Sequence, residues 1–332
     1  MVHRALARAI TSTALKHGKP KSGTLRVCPS KLGNLSYTLK PKHKIMKLSI
    51  FYLCGTTFII SFLNTIVLAL IKSISGIRGT IGGRSGENLT PDEIIQSTAA
   101  YGTWLMENNY PLKVVIGRDA RISGPLVSQL VSSTLQSLGI HTIDLGLSTT
   151  PTVEMAVTAL EAGGGIILTA SHNPRQWNAL KLLNQDGEFI SAADGARLLE
   201  LLHEGQIEYA TVDQLGVYER NDQMLDYHVQ QVLNHPLVDA ALVREKGYAV
   251  VVDAVNSTGA IAIPLLLEAL GCQCRVLNGE VNGEFAHNPE PLPHHLQDLC
   301  LAVARHKADL GVAVDPDVDR LASIGPEGQW IG

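Results

Sequence analysis

Two apolar runs that each end in a short polar loop constrain the fold of this chain more than any other feature. Gly165–Leu168 leads into Thr169–Pro174 (TASHNP), and Leu310–Val314 leads into Asp315–Arg320 (DPDVDR). Short aliphatic runs bounded by turn residues are typical of buried strands in an α/β sheet, and open sheets of this class bind ligands at strand ends. A hydroxyl on one loop and three carboxylates on the other suggest metal-assisted phosphoryl transfer through a serine.

The hydrophobic pattern of the rest of the chain alternates between helix and strand periods, which predicts an α/β fold of two domains with mixed sheets. We expect an extension at 1–69 outside the fold, a first domain at 70–222 and a second at 223–332. An Asp186-Gly187 turn predicts a hairpin joining 179–183 to 188–190, and the polar stretch 204–222 is expected to be irregular. Further predicted strands lie at 70–75, 113–116, 142–145, 249–253, 275–277 and 321–324. Predicted helices lie at 90–108, 123–138, 191–203, 224–233, 261–270 and 294–306, with one more starting at Thr150.

Charge is distributed unevenly along the chain. Eleven of the 27 Lys and Arg residues and none of the 31 Asp and Glu residues lie in 1–47. The remainder therefore has 16 basic against 31 acidic residues, a net charge of −15. An acidic body argues against a nucleic-acid partner, because phosphate contacts need clustered cations. The five cysteines lack metal-type spacing and are expected to be free thiols in a reducing, cytoplasmic compartment.

The segment 48–71 is an uncharged run of a length that can span a bilayer. Preceded by the basic segment 1–47, it would fit a membrane anchor or a targeting segment. Its several serines and threonines, and its overlap with the expected first strand at 70–75, favour an extension outside the fold instead. Membrane association is therefore expected only through 48–71, if at all.

Ser171 and the three aspartates carry the candidate chemistry. A serine hydroxyl is a weak nucleophile unless a base or metal activates it, and most serines in such loops only form turns or caps. Asp315, Asp317 and Asp319 would repel one another without a cation, and Mg²⁺ prefers such oxygen ligands. The alternative is a solvated acidic turn.

Two other acidic-loop families fit less well. An EF-hand would need glycine where Arg320 stands and glutamate where Pro326 stands. A phosphatase loop of the haloacid-dehalogenase type usually has Thr or Val where Asp319 stands.

Four further motifs accompany the two loops in order. They are Ser75–Gly79 (SGIRG), Gly117–Ser123 (GRDARIS), Asn178–Lys181 (NALK) and His287–Pro289 (HNP). Together the motifs resemble the α-D-phosphohexomutases over roughly 70–332. The resemblance is greatest to members that act on glucosamine phosphate, followed by those that act on mannose phosphate. It implies that the chain contains the first two domains of the family and lacks its third and fourth.

The resemblance also implies a reaction and a set of ligands. Phosphate would move between C6 and C1 of a hexose phosphate through a phosphoserine at Ser171. A hexose 1,6-bisphosphate would be both intermediate and activator. One Mg²⁺ ion would be held by the three aspartates of Asp315–Asp319 and an oxygen of the modified Ser171. Arg78 and Lys181 would belong to the active site, Lys181 as the acid–base group with a lowered pKa.

The remaining candidate residues lie in or beside these motifs. His172 is a second acid–base candidate, and Arg320 is expected to orient the phosphoserine unless it forms only a surface salt bridge. Asn173 is expected to fix the serine loop. Arg118 and Arg121 are expected to bind phosphate or to support the site through an ion network. A second functional hypothesis is a non-catalytic, membrane-associated protein that binds sugar phosphates on the same two domains.

Overall fold

The computed structural model describes residues 34–39, 45–53, 56–58, 65–66, 70–73 and 76–331, and the chain divides into two compact units, Met1–Val67 and Leu68–Gly332. The described part of the first unit is a small antiparallel sheet in which β2 pairs with the other three strands. Its strands are β1 (Asn34–Leu39), β2 (Ile45–Leu53), β3 (Thr56–Phe58) and β4 (Thr65–Ile66). The described parts of the apolar run 48–69 therefore lie in strands. Among all described residues, no helix is both long and apolar enough to cross a bilayer.

The second unit begins with a seven-stranded mixed sheet in the order β11-β8-β7-β9-β10-β6-β5. Its strands are β5 (Ile71–Ser73), β6 (Gly76–Thr80), β7 (Lys113–Arg118), β8 (His141–Leu147), β9 (Gly164–Leu168), β10 (Trp177–Leu183) and β11 (Tyr218–Arg220). The first four strands in this order are parallel, and the last three alternate in direction. The parallel strands therefore end at one edge of the sheet.

Helices cover both faces of this sheet, as a largely parallel sheet requires. They are α1 (Pro91–Glu107), α2 (Gly124–Ser137), α3 (Thr150–Ala159) and α4 (Ala192–Glu204). Helices α1, α2 and α4 share one core through Trp104, Val127 and Leu198, whereas α3 joins the other core through Val153 and Val157. The first helix begins with a capping box, in which the Glu93 carboxylate accepts the Thr90 N–H at 3.3 Å.

A four-stranded sheet follows, in the order β13-β12-β14-β15. Its strands are β12 (Ala249–Asp253), β13 (Gln273–Leu277), β14 (Leu310–Val314) and β15 (Leu321–Ile324), and only β15 is antiparallel. The helices of this part are α5 (Met224–Leu233), α6 (Ala240–Lys246), α7 (Gly259–Ala269) and α8 (Gln297–His306). Helix α8 packs on one face through Leu299 and Val303, and α7 packs on the other through Ile263 and Leu267.

The structure confirms the mixed α/β architecture but corrects four local expectations. The stretch 204–222 contains strand β11, which extends the first sheet. The hairpin expected between 179–183 and 188–190 does not form, because residues 188–190 make only a single bridge, between Leu183 and Phe189. Strand β10 pairs with β9 and β6. Helix α6 was not predicted. The helix expected at 294–306 is divided into a 3₁₀ turn at Pro293–His295 and α8.

Candidate active site

The serine loop leaves the fully buried strand β9 in a tight turn. Ser171 has φ of +48°, in the left-handed region that non-glycine residues seldom adopt, and such strain is concentrated at functional sites. The Ser171 N–H donates to Thr169 Oγ1 at 2.9 Å, and this hydroxyl donates to Asp119 Oδ2 at 2.7 Å. The strained turn is therefore fixed by hydrogen bonds from a neighbouring strand end.

Arg121 holds the same loop through its whole guanidinium group. Its Nε donates to Asp119 at 2.9 Å, and its two terminal nitrogens donate to four carbonyl oxygens at 2.5–2.9 Å. These oxygens belong to Ser171, Asn173, Pro174 and Trp177. Since a guanidinium has five N–H donors, Arg121 has none left for a phosphate and supports the loop instead.

The acidic loop after β14 is shaped around Asp315. Val318 has φ of +60°, an unusual value for a β-branched residue. This turn directs the N–H groups of Asp319 and Arg320 to Asp315 Oδ1, at 3.1 Å each. The loop is also bound by the start of α3, where the Thr150 N–H donates to the Asp317 carbonyl at 2.8 Å and its hydroxyl donates to Asp317 Oδ2 at 2.6 Å.

The two loops meet at Ser171 and Asp315. Ser171 Oγ donates to Asp315 Oδ2 at 2.7 Å, across 144 positions of sequence. Burial, together with the charges of Asp317 and Asp319, raises the pKa of Asp315 to about 8. The fold thus brings the predicted nucleophile into direct contact with the predicted metal loop.

The donor set of this loop suits a hard divalent cation. One carboxylate oxygen from each of Asp315, Asp317 and Asp319 lies within 4.8 Å of the others. Asp317 Oδ2 already accepts two hydrogen bonds, whereas its buried Oδ1 has no partner. A buried carboxylate oxygen without a donor is costly, and a Mg²⁺ ion among the three carboxylates would satisfy it.

Lys181 lies on β10 beside the same cluster. Its Nζ donates to Asp317 at 2.8 Å and to Asp319 at 2.9 Å. Burial favours the neutral amine, but the charges and hydrogen bonds of the two aspartates outweigh it and raise the pKa of Lys181. The expected lowering of the Lys181 pKa depends on a metal ion and arginines beside the amine, and it stays a prediction for the metal-bound site.

Ser171 and Lys181 open onto a cleft of about 430 Å³ that Arg78, His172, Asn173 and Arg320 also line. Arg78 lies on β6, between β5 and β10, and its side chain makes no hydrogen bond or ion pair with any other described residue. His172 Nδ1 lies 3.4 Å from Ser171 Oγ, and burial followed by the charge of Arg320 lowers the pKa of His172.

Arg320 lines the cleft, as a residue that orients the phosphoserine would, and it also forms a salt bridge with Glu290 at 3.0 Å. Within the part of the chain that the structure describes, the cleft therefore offers one guanidinium without a partner, that of Arg78, and one that is paired with Glu290, that of Arg320.

Arg118 is not part of this cleft. Its side chain lines a separate cavity, together with Ser148 and Arg220. Its only hydrogen bond within the described residues goes to the Asp119 carbonyl, at 3.3 Å. The grouping of Arg118 with the phosphate-binding residues of the serine site therefore has no geometric support.

Three contacts of the site were not anticipated. Thr150 was interpreted only as a helix start, although it binds Asp317. Phe285 stacks on the Arg121 guanidinium at 5.0 Å, and Glu290 pairs with Arg320. The local sequence around these residues gives no indication of partners so far away in the chain.

A serine hydroxyl, a cluster of three carboxylates that suits a divalent cation, and a basic cleft lie together on two α/β domains. Family models of phosphoglucomutase/phosphomannomutase match residues 70–207 as alpha/beta/alpha domain I and 226–328 as domain II. The chain belongs to this family.

Similar proteins were found among both characterised sequences and solved structures. A phosphoglucosamine/phosphogalactosamine mutase of Sulfurisphaera tokodaii is 34% identical over 259 residues, 77% of this chain and 55% of the relative. A phosphoglucomutase/phosphomannomutase of Thermococcus kodakarensis is 34% identical over 258 residues, 76% of this chain and 56% of the relative. A family structure from Burkholderia thailandensis matches with a TM-score of 0.68 and 27% identity, over 79% of this chain and 56% of that one. The chain thus spans about half the length of the relatives it matches.

Proposed function

We propose that this site is the phosphoryl-transfer centre of a phosphohexomutase, which moves phosphate between the 6- and 1-hydroxyls of a hexose. The observation that carries the proposal is the 2.7 Å contact of Ser171 Oγ with Asp315 inside a cluster of three carboxylates. A phosphate on Ser171 would lie against buried negative charge, which only a cation could offset. Family membership supports the same reaction.

Each residue of the cleft has a proposed task. Ser171 carries the phosphoryl group, and Asp315, Asp317 and Asp319 are the residues that would hold Mg²⁺ beside it. The ion would neutralise charge that develops on the phosphoryl oxygens. Arg78, which lacks a protein partner, binds the phosphoryl oxygens or the sugar phosphate.

Two further residues have supporting tasks at the cleft. Arg320 orients the phosphoserine from the end of the acidic loop. Asn173 keeps the serine loop in position through its backbone carbonyl, which accepts from Arg121 at 2.7 Å.

Lys181 and His172 are the groups that can move protons. In the first half-reaction the bond between phosphorus and Ser171 Oγ breaks, and a bond to the sugar hydroxyl oxygen forms. Lys181, whose ammonium lies against Asp317 and Asp319 at the edge of the cleft, is the proposed donor that returns a proton to Ser171 Oγ. His172, whose lowered pKa favours the neutral ring, accepts the proton of the sugar hydroxyl. The product is a hexose 1,6-bisphosphate, and the second half-reaction is the reverse transfer from its other phosphate.

We propose glucosamine phosphate as the first sugar to test. The motifs resemble members that use it, and the relative from Sulfurisphaera tokodaii is named for phosphoglucosamine and phosphogalactosamine. Mannose and glucose phosphates come next, because the Thermococcus kodakarensis relative is named for both.

The test is transfer of ³²P from a labelled hexose 1,6-bisphosphate to the protein, followed by peptide mapping. We expect label on Ser171 in the presence of Mg²⁺ and none in Ser171→Ala. Ser73→Ala is the matched control, because Ser73 lines the same cleft and its variant should label normally. Label on another residue would contradict the assignment of Ser171. Hexose phosphate binding without any label would contradict phosphoryl transfer and favour a binding protein.

A further inference from the structure

A second cavity, of about 320 Å³, lies at the carboxyl ends of the parallel strands β7, β8 and β11. Its lining shares no residue with the serine cleft. Arg118 is the last residue of β7, Ser148 follows β8, and Arg220 is the last residue of β11. This edge is where α/β sheets bind ligands, and a cavity at the small end of the ligand-site range suits a small molecule.

Arg118 is the main reason to expect an anion in this cavity. The side chain is partly buried, yet it makes one hydrogen bond and no ion pair within the described residues. Gly124, at the start of α2, leaves it room, because a Cβ there would lie 3.2 Å from Arg118 Cδ. Placing a guanidinium partly out of water with a single carbonyl as acceptor carries a desolvation cost, which a bound oxyanion would offset.

Arg220 is fixed at the wall of the same cavity. Its Nε donates to Asp222 at 2.6 Å, and its guanidinium lies against Gly146, which has φ of +65°. A Cβ at Gly146 would come within 2.1 Å of an Arg220 nitrogen. The carboxylate of Asp144 lies beside both arginines. Its Oδ1 is 3.9 Å from an Arg220 nitrogen, its charge acts on Arg118, and it accepts hydrogen bonds from the Gly146 N–H and the Tyr218 hydroxyl.

Two further hydrogen-bond donors at the cavity have no acceptor among the described residues, and an oxyanion would supply one to each. The first turn of α5, with Met224 and Leu225, lines the cavity, and no side chain caps this helix. Its free N–H groups and dipole favour negative charge. Ser148 also lines the cavity; it is 95% buried, and its hydroxyl has no hydrogen-bond partner among the described residues.

We propose that this cavity is a second anion site, which binds a phosphate group through Arg118, the first turn of α5 and the Ser148 hydroxyl. Ile261 of α7 also lines the cavity, so the ligand would contact both α/β domains. The phosphate could be free in solution or belong to a hexose phosphate, and the two sources present the same chemistry to Arg118.

The test is calorimetric titration with inorganic phosphate in the Arg78→Met background, which removes the partner-free guanidinium of the serine cleft. We expect one phosphate to bind. Adding Arg118→Met should weaken its binding about tenfold or more, the usual effect of losing a charge-assisted hydrogen bond. Adding Arg305→Met, which removes an exposed charge on α8, should leave binding unchanged. Absence of phosphate binding in Arg78→Met, or equal affinity with and without Arg118, would overturn the proposal.

A crystal of the unmodified protein soaked in phosphate provides a measurement that does not depend on the folding of variants. Tetrahedral density in contact with Arg118 supports the proposal, and water alone in the cavity overturns it. Repeating the titration with a hexose 6-phosphate identifies the source. Tighter binding than inorganic phosphate points to the sugar phosphate, and equal binding points to free phosphate.

Discussion

Removing the Thr150 hydroxyl should destabilise the acidic loop by a measurable amount. The hydroxyl donates to Asp317 Oδ2 at 2.6 Å, and both side chains are buried. Thr150→Val keeps the shape of the side chain but leaves a buried carboxylate with one donor fewer. A hydrogen bond to a charged group contributes roughly 1.5–3 kcal/mol. We therefore expect the free energy of unfolding to fall by about 2 kcal/mol, which lowers the melting temperature by about 4–8 °C in a protein of this size.

The matched control lies on the same helix. The Thr158 hydroxyl donates to the Met155 carbonyl at 3.0 Å, and its side chain is exposed. Thr158→Val should change the free energy of unfolding by no more than about 0.5 kcal/mol. Both variants are compared by circular dichroism in EDTA, so that no metal contributes. Equal melting temperatures for Thr150→Val, Thr158→Val and the unmodified protein would refute the inference that Thr150 holds Asp317.

Three further predictions concern charged groups in and around the site. Asp317→Asn should weaken Mg²⁺ binding at least about tenfold in a calorimetric titration, because the variant removes one of three ligand charges; unchanged affinity would argue against the three-carboxylate site. Arg121→Met should cost about 3–5 kcal/mol of stability in urea denaturation, since it leaves Asp119 buried and unpaired; a loss below about 1 kcal/mol would show that the serine loop does not depend on Arg121. Burial favours neutral His287, but its hydrogen bond and ion pair with Asp253 outweigh burial and raise the pKa of His287. The stabilising effect of this residue should therefore be complete below the unfolded pKa of about 6.5 and lost as the pH rises through the higher folded value. Melting temperatures of His287→Gln should approach those of the unmodified protein as pH rises from 5 to 9, and a constant difference would contradict the assignment.

The parts of the fold that were predicted correctly depend on local sequence. The strands that precede the serine and acidic loops are short aliphatic runs, and α1 begins with a capping box whose members are three residues apart. Strand β11 was missed because its three side chains are all exposed. Its place in the sheet depends on backbone pairing with β8, which leaves no hydrophobic pattern in the sequence.

In the candidate site too, residues marked by a local sequence pattern could be predicted and long-range contacts could not. The serine and the aspartates could be identified because each follows a buried strand. The location of Arg118 could not be deduced from its motif, because successive side chains at a strand end point to opposite sides. Asp119 therefore joins the Arg121 network while Arg118 lines the other cavity. The link between Thr150 and Asp317 joins positions 167 apart, and no local pattern specifies it.

The central claim is that Ser171 carries a phosphate beside a cation held by the acidic loop. The most direct measurement is a crystal structure of the Ser171-phosphorylated protein grown with Mn²⁺, with the ion located by anomalous scattering. We predict one peak in contact with a carboxylate oxygen from each of Asp315, Asp317 and Asp319 and with a phosphate oxygen on Ser171. A peak elsewhere, or a phosphoserine turned away from the aspartates, would contradict the account.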